Sequence, residues 1–111
     1  MPWTPYFVGG KAHPGVEVDA DILSGVPVFS ARIAPGGGTL PHRHSGTETI
    51  SILQGEGRLT VGAVVRAVGP GETVVVPALS LHRLENVGTD FLVVSAQFDP
   101  PFAQQRTTFD V

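Results

Sequence analysis

The sequence predicts an all-β fold, a sandwich or barrel of about eight or nine antiparallel strands. Its apolar residues alternate with polar ones in many short runs, the pattern of strands that bury one face. Fourteen Gly and ten Pro make more than a fifth of the 111 residues turn formers, and most fall between those runs. No stretch of ten residues keeps a helical period. A chain of this length corresponds to one domain, residues 1–111, with a strand core at about residues 16–98 and peripheral segments at 1–14 and 100–111.

The first core run, residues 16–22, alternates Val16, Val18, Ala20 and Ile22 with Glu17, Asp19 and Asp21, which places the acidic face in solvent. Residues 27–33 follow with Phe29, Ala31 and Ile33 inward, and Ala34-Pro35-Gly36-Gly37-Gly38 then breaks the pattern. Residues 48–53 form a strand on which Glu48, Ile50 and Ile52 share a face. Gln54-Gly55-Glu56-Gly57 turns into residues 58–61, Gly62-Ala63 into 64–68, and Gly69-Pro70-Gly71-Glu72 into 73–77. Residues 81–87 and 91–98 close the series. Tyr6, Phe7 and Val8 offer an extra edge strand. An open edge invites pairing with another chain, so the two terminal segments are candidate homodimer contacts.

Composition excludes several functions. With no Cys there is no disulfide framework, thiolate metal site, iron–sulfur cluster or Cys nucleophile. A net charge of −3 with scattered Lys and Arg gives no footprint for nucleic acid. The longest apolar runs, such as Val74-Val75-Val76, are far short of the ~20 residues of a membrane span. The first residues lack a basic and an apolar leader region, so a cytoplasmic protein is expected.

Three of the four histidines and one glutamate form a constellation: His42-Arg43-His44, Glu48 and, on a later strand, His82. Side chains two apart on an extended chain point the same way, so His42, His44 and Glu48 face the side that Ile50 and Ile52 face. His82 shares parity with Leu84 and Asn86 and can converge on the same point. Four titratable groups on an apolar wall are costly unless paired, and a divalent metal pairs all four. Imidazole nitrogen and carboxylate oxygen suit Fe, Mn, Ni, Cu or Zn, one ion per chain. Such an ion keeps open positions for a small molecule. With one carboxylate ligand the site keeps a formal charge of about +1, which favours an anionic or enolate oxygen. Arg43, between two inward residues, points away.

The same residues resemble the cupin superfamily. Its first motif, G-x5-H-x-H-x3-E-x6-G, is matched by Gly36, His42, His44, Glu48 and Gly55. Its second, G-x5-P-x-G-x2-H-x3-N, is matched by Gly71, Pro77, His82 and Asn86, with Leu79 where the family usually has Gly. That departure predicts a different turn before His82. The 15 residues between Gly55 and Gly71 resemble the spacing of small bacterial cupins. The resemblance implies a cupin-type jelly-roll barrel with His42, His44, Glu48 and His82 as metal ligands, and Asn86 as a structural residue.

A fold shared by dioxygenases, isomerases, decarboxylases and sugar-binding modules does not choose a reaction. Open metal positions beside a wall of Phe29, Ile33, Ile50, Ile52, Leu59, Val61 and Leu84 favour dioxygenase-type chemistry on a small, oxygen-containing apolar substrate. Glu48 is then the catalytic residue, accepting a substrate proton. The alternatives are a non-redox isomerase or tautomerase and a non-enzymatic small-molecule binding module. The isomerase needs a further acid or base, for which Tyr6 and His13 are the candidates. A sugar phosphate would need basic side chains, and strand parity turns Arg32 and Arg58 outward. His13, beside Pro14, reads as a surface histidine, Trp3 as terminal packing, and Gln97 as a pocket or solvent residue.

Overall fold

Alternation in the sequence becomes alternation of burial in the computed structural model, which describes residues 2–110. Met1 and Val111, the ends of the two peripheral segments, lie outside the described residues. Eleven strands follow one another: β1 (Thr4–Val8), β2 (Lys11–Val18), β3 (Val28–Ile33), β4 (His42–His44), β5 (Thr47–Gln54), β6 (Gly57–Val61), β7 (Val64–Val68), β8 (Thr73–Val76), β9 (His82–Asn86), β10 (Leu92–Asp99) and β11 (Thr107–Phe109). This exceeds the expected eight or nine because β4 and β11, three residues each, are too short to show alternation. The first core run ends early as a strand, at Val18, although Ile22 beyond it is still buried.

The strands pair antiparallel in two sheets, one ordered β1-β2-β3-β10-β5-β8 and the other β11-β4-β9-β6-β7. The terminal segments are thus woven into the sheets: β1 and β2 form one end of the larger sheet, and β11 edges the smaller one beside β4. Phe29, Ala31 and Ile33 of β3, Ile50 and Ile52 of β5, and Val94, Ala96 and Phe98 of β10 supply the larger sheet's inner face. Leu59 and Leu84 face them from the smaller sheet. Each of the Val, Leu, Ile and Phe side chains among them contributes roughly 1.5–3 kcal/mol on burial.

Two backbone features depend on particular residues. Gly55 turns β5 into β6 with φ +94°, and a Cβ there would lie 2.6 Å from the Phe91 carbonyl oxygen, so only glycine fits. Between β1 and β2 the register slips: Pro5 pairs with Glu17 but Phe7 with Ala12. Tyr6 crosses on one side while His13, Pro14, Gly15 and Val16 bow out on the other, a β-bulge that turns Tyr6 and His13 inward. After β10, a 3₁₀ turn at Phe102–Gln104 lays Phe102 against His44 and Phe98, with ring centroids 5.8 and 5.1 Å apart. Among the described residues, no helix is long and apolar enough to cross a membrane.

Candidate metal centre

Strand β4 brings His42 and His44 in, β5 carries Glu48 as its second residue, and β9 begins with His82, directly opposite His42 in the register. All four are buried, and the outward Arg43 is half-buried. One ring nitrogen from each of the three histidines lies within 4.8 Å of the others. Glu48 joins from the side, its Oε1 3.2 Å from His82 Nε2 and 3.8 Å from His44 Nε2.

The outer ring nitrogens are held. His42 Nδ1 donates to the Leu40 carbonyl, and His82 Nδ1 donates to the Ser80 carbonyl at 2.9 Å. A carbonyl only accepts, so both rings carry their proton on Nδ1 and turn Nε2 toward the centre. His44 Nδ1 lies 3.0 Å from the Thr107 hydroxyl, which β11 supplies. Burial, then the nearby His82 and His44, pushes the His42 pKa down to about 2. Burial pushes His44 down to about 4, against the opposing pull of Glu48. Two uncharged rings therefore meet Nε2 to Nε2 at 3.0 Å. That contact is closed either by a proton on His44 Nε2, with Thr107 then donating to Nδ1, or by a cation that takes both lone pairs. Nitrogen and oxygen donors converging on one buried point, with their rear atoms anchored, fit a divalent ion.

Leu79 does not change the turn in the way expected. The Ser80 amide donates to the Pro77 carbonyl at 3.2 Å, and Leu79, third in that turn, takes φ +66°. This is the left-handed conformation a type II turn requires and glycine favours, adopted here by leucine. Its amide also donates to the His44 carbonyl at 2.8 Å, which ties the two motifs together.

Above the cluster lies a cavity of about 30 Å³, lined by His42, Glu48, His82, Tyr6 and Thr39 and otherwise by apolar side chains. Of the expected wall, Phe29, Ile33, Ile50 and Leu84 line it; Ile52 and Leu59 are buried elsewhere in the core, and Val61 packs against that core. Arg32 and Arg58 face away and pair with Glu17 and Glu85. Gln97 is exposed, and Trp3 lies against Arg32.

His13 is a correction. It is buried, not on the surface: its Nδ1 accepts the Leu40 amide at 2.8 Å, and its ring lies tilted by 52° against His42, with centroids 4.8 Å apart. Leu40 therefore links the two rings, through its amide to one and its carbonyl to the other. Tyr6 lies against His13, with centroids 4.5 Å apart. The sequence signal that could have found them was Pro14-Gly15, the bulge formers that cancel simple parity.

A family model described as the cupin domain matches residues 29–95. The chain belongs to the cupin family. Its two sheets are accordingly those of a cupin-type jelly-roll barrel. An uncharacterised protein of Methanocaldococcus jannaschii is 32% identical over 78 residues, 69% of this chain and 62% of that protein. A 1-methylthio-D-xylulose 5-phosphate methylsulfurylase of Rhodospirillum rubrum is 33% identical over 73 residues, 62% of this chain and 47% of the enzyme. The crystal structure of a cupin 2 conserved barrel domain protein from Rhodopseudomonas palustris superposes with a TM-score of 0.75 at 21% identity, covering 99% of this chain and 77% of that one. The chain spans less than two thirds of the length of the curated relatives it matches.

Proposed function

We propose that this cupin, acting as one domain, holds a single divalent transition metal through His42, His44, His82 and Glu48 and uses it on a small oxygen-containing substrate with an apolar skeleton. The observation that carries this is the convergence of three Nε2 atoms and a carboxylate on one buried point, with the rear nitrogens of His42 and His82 fixed by carbonyls. A bound ion supplies a Lewis acid with open positions and, for a redox-active metal, the electrons of dioxygenase-type chemistry. The protein does the rest. Apolar side chains from Val16 to Phe98 exclude water and hold the substrate's carbon skeleton. Glu48 takes a substrate proton at the carboxylate oxygen that it does not turn toward His82. The His13–Leu40–His42 linkage holds the approach to β4 in place.

The methylsulfurylase relative acts on a phosphorylated sugar by its name, but no Lys or Arg lines this cavity, so that substrate class is not carried over. The non-redox isomerase or tautomerase reading gains one observation, a buried phenol, Tyr6, in the cavity wall. We also place a second copy of the chain against the β1 edge, where Phe7 is exposed, to form a cytoplasmic homodimer. Elemental analysis of protein purified without a metal column, paired with oxygen-consumption assays on diketones and catechol-like phenols, tests the main reading. Near-stoichiometric Fe, Mn, Ni or Cu with oxygen uptake is the expected result. Bound metal without uptake favours isomerisation or simple ligand binding. A protein that takes up no metal on reconstitution overturns the centre itself.

A further inference from the structure

Tyr6 is the one tyrosine of the chain, and among the described residues nothing answers its hydroxyl. The side chain is buried and its Oη has no hydrogen-bond partner among the described residues, yet it lines the same cavity as His42, Glu48 and His82. Burying a hydroxyl without a partner costs roughly 1–3 kcal/mol. The packing does not need that atom. The ring itself makes edge contacts with Phe29 and Phe102, at 6.5 and 5.8 Å between centroids, and a phenylalanine would keep both. The bulge opposite Tyr6 holds the ring inward between exposed Pro5 and Phe7. An unpartnered hydroxyl on a residue that lines this cavity, beside a cluster of metal-type ligands, is a candidate recognition group.

We propose that Tyr6 selects the ligand of this cavity by donating its hydroxyl proton in a hydrogen bond to the anionic oxygen of a small carboxylate or enolate bound at the histidine end. This rests on the metal reading above, since an ion held by three neutral imidazoles and one carboxylate keeps about one positive charge for such an anion. The size of the ligand follows from the cavity. About 30 Å³ holds roughly two water-sized groups, enough for the oxygen end of a carboxylate or enolate. Thr39, the other hydroxyl of the wall, already accepts the Leu84 amide at 2.9 Å, and the rest of the wall, Val16, Ala31, Ile33, Leu84, Val94 and Ala96, is apolar, so Tyr6 is the wall's unpartnered hydroxyl donor. Burial, together with the nearby Glu48, raises the phenol's pKa, which keeps it a donor.

Because there is one tyrosine, protein labelled with 3-fluorotyrosine has one ring fluorine resonance, and it reports on Tyr6 alone. The zinc-loaded protein and its Tyr6→Phe variant are to be titrated with formate and acetate, by fluorine NMR for the labelled protein and by calorimetry for both. The expected result is a saturable shift of the fluorine resonance and formate binding about tenfold or more weaker in the variant, with zinc content unchanged and the melting temperature equal or higher. Equal affinity in both proteins, or no formate binding to the zinc-loaded parent, overturns the assignment of Tyr6 while leaving the metal centre intact. A variant that melts lower assigns the hydroxyl a structural role and also overturns it. Failure of the parent to bind zinc removes the metal reading and this inference with it.

Discussion

Strand β9 carries two buried polar residues on one face, His82 at its start and Asn86 at its end, and the barrel treats them in opposite ways. Every polar atom of Asn86 is answered: its Nδ2 donates to the Ile33 and Asp90 carbonyls at 2.8 Å each, and its Oδ1 accepts the Gly88 amide at 2.9 Å. His82 is answered at the back only, by Ser80, while its front nitrogen faces a carboxylate. One end of the strand is closed by the protein's own hydrogen bonds. The other end presents its lone pairs inward. A polar side chain that staples a fold uses up its bonding capacity on the fold, and one that serves a ligand keeps some back.

The largest expected effect breaks the open end. His82→Ala should lower metal affinity at least about a hundredfold and leave a folded barrel, since β9 remains paired with β6 along its length. Elemental analysis beside far-UV circular dichroism reads both. Stoichiometric metal in this variant would remove His82 from the ligand set.

Next comes pH, which acts on the metal-free protein. In the fold His13 and His44 have pKa values of about 4 and His42 about 2, all below the 6.5 of a free imidazole. The unfolded chain therefore binds protons below pH 6.5 that the native state refuses, so stability rises with pH and is lost as pH falls through that value. Each ring contributes up to about 1.4 kcal/mol per pH unit in that window. Urea midpoints at pH 7, 6 and 5 should fall in that order, and a constant midpoint would contradict the burial of neutral rings.

At the closed end, Asn86→Ala should cost about 2 kcal/mol of stability, because it strands the buried Ile33 carbonyl and removes the partner of the Asp90 carbonyl and the Gly88 amide. Metal content should stay at the parent's level. Urea denaturation and elemental analysis separate the two quantities, and a variant that loses metal but not stability would reverse the comparison.

The same contrast explains what the sequence disclosed. Parity on β5 and β9 was enough to turn Glu48 and His82 inward beside Ile50, Ile52 and Leu84, because regular strands keep period two. It failed at β1 and β2. The bulge spends four residues of β2 against Tyr6 alone, so neither His13 nor Tyr6 has a parity that simple counting can follow. Strand β11 was equally silent, yet it brings Thr107 to His44 through a separation of 63 residues, a long-range contact that no local pattern encodes.

The smallest effect concerns the turn that leads into His82. Leu79 is 64% exposed and left-handed at φ +66°, so its side chain adds little packing while its backbone is strained. A left-handed conformation costs an L-residue about 1–2 kcal/mol, and glycine loses about 0.5–1 kcal/mol more chain entropy on folding. Leu79→Gly should therefore gain up to about 1 kcal/mol, seen as a higher urea midpoint. The Ser80 carbonyl that orients His82 stays where it is, so metal affinity should not change. A less stable variant would mean that the leucine side chain, exposed as it is, contributes more to holding the turn than the left-handed backbone costs. A metal-affinity change at equal stability would mean that the turn, and not the Ser80 hydrogen bond alone, aims the histidine.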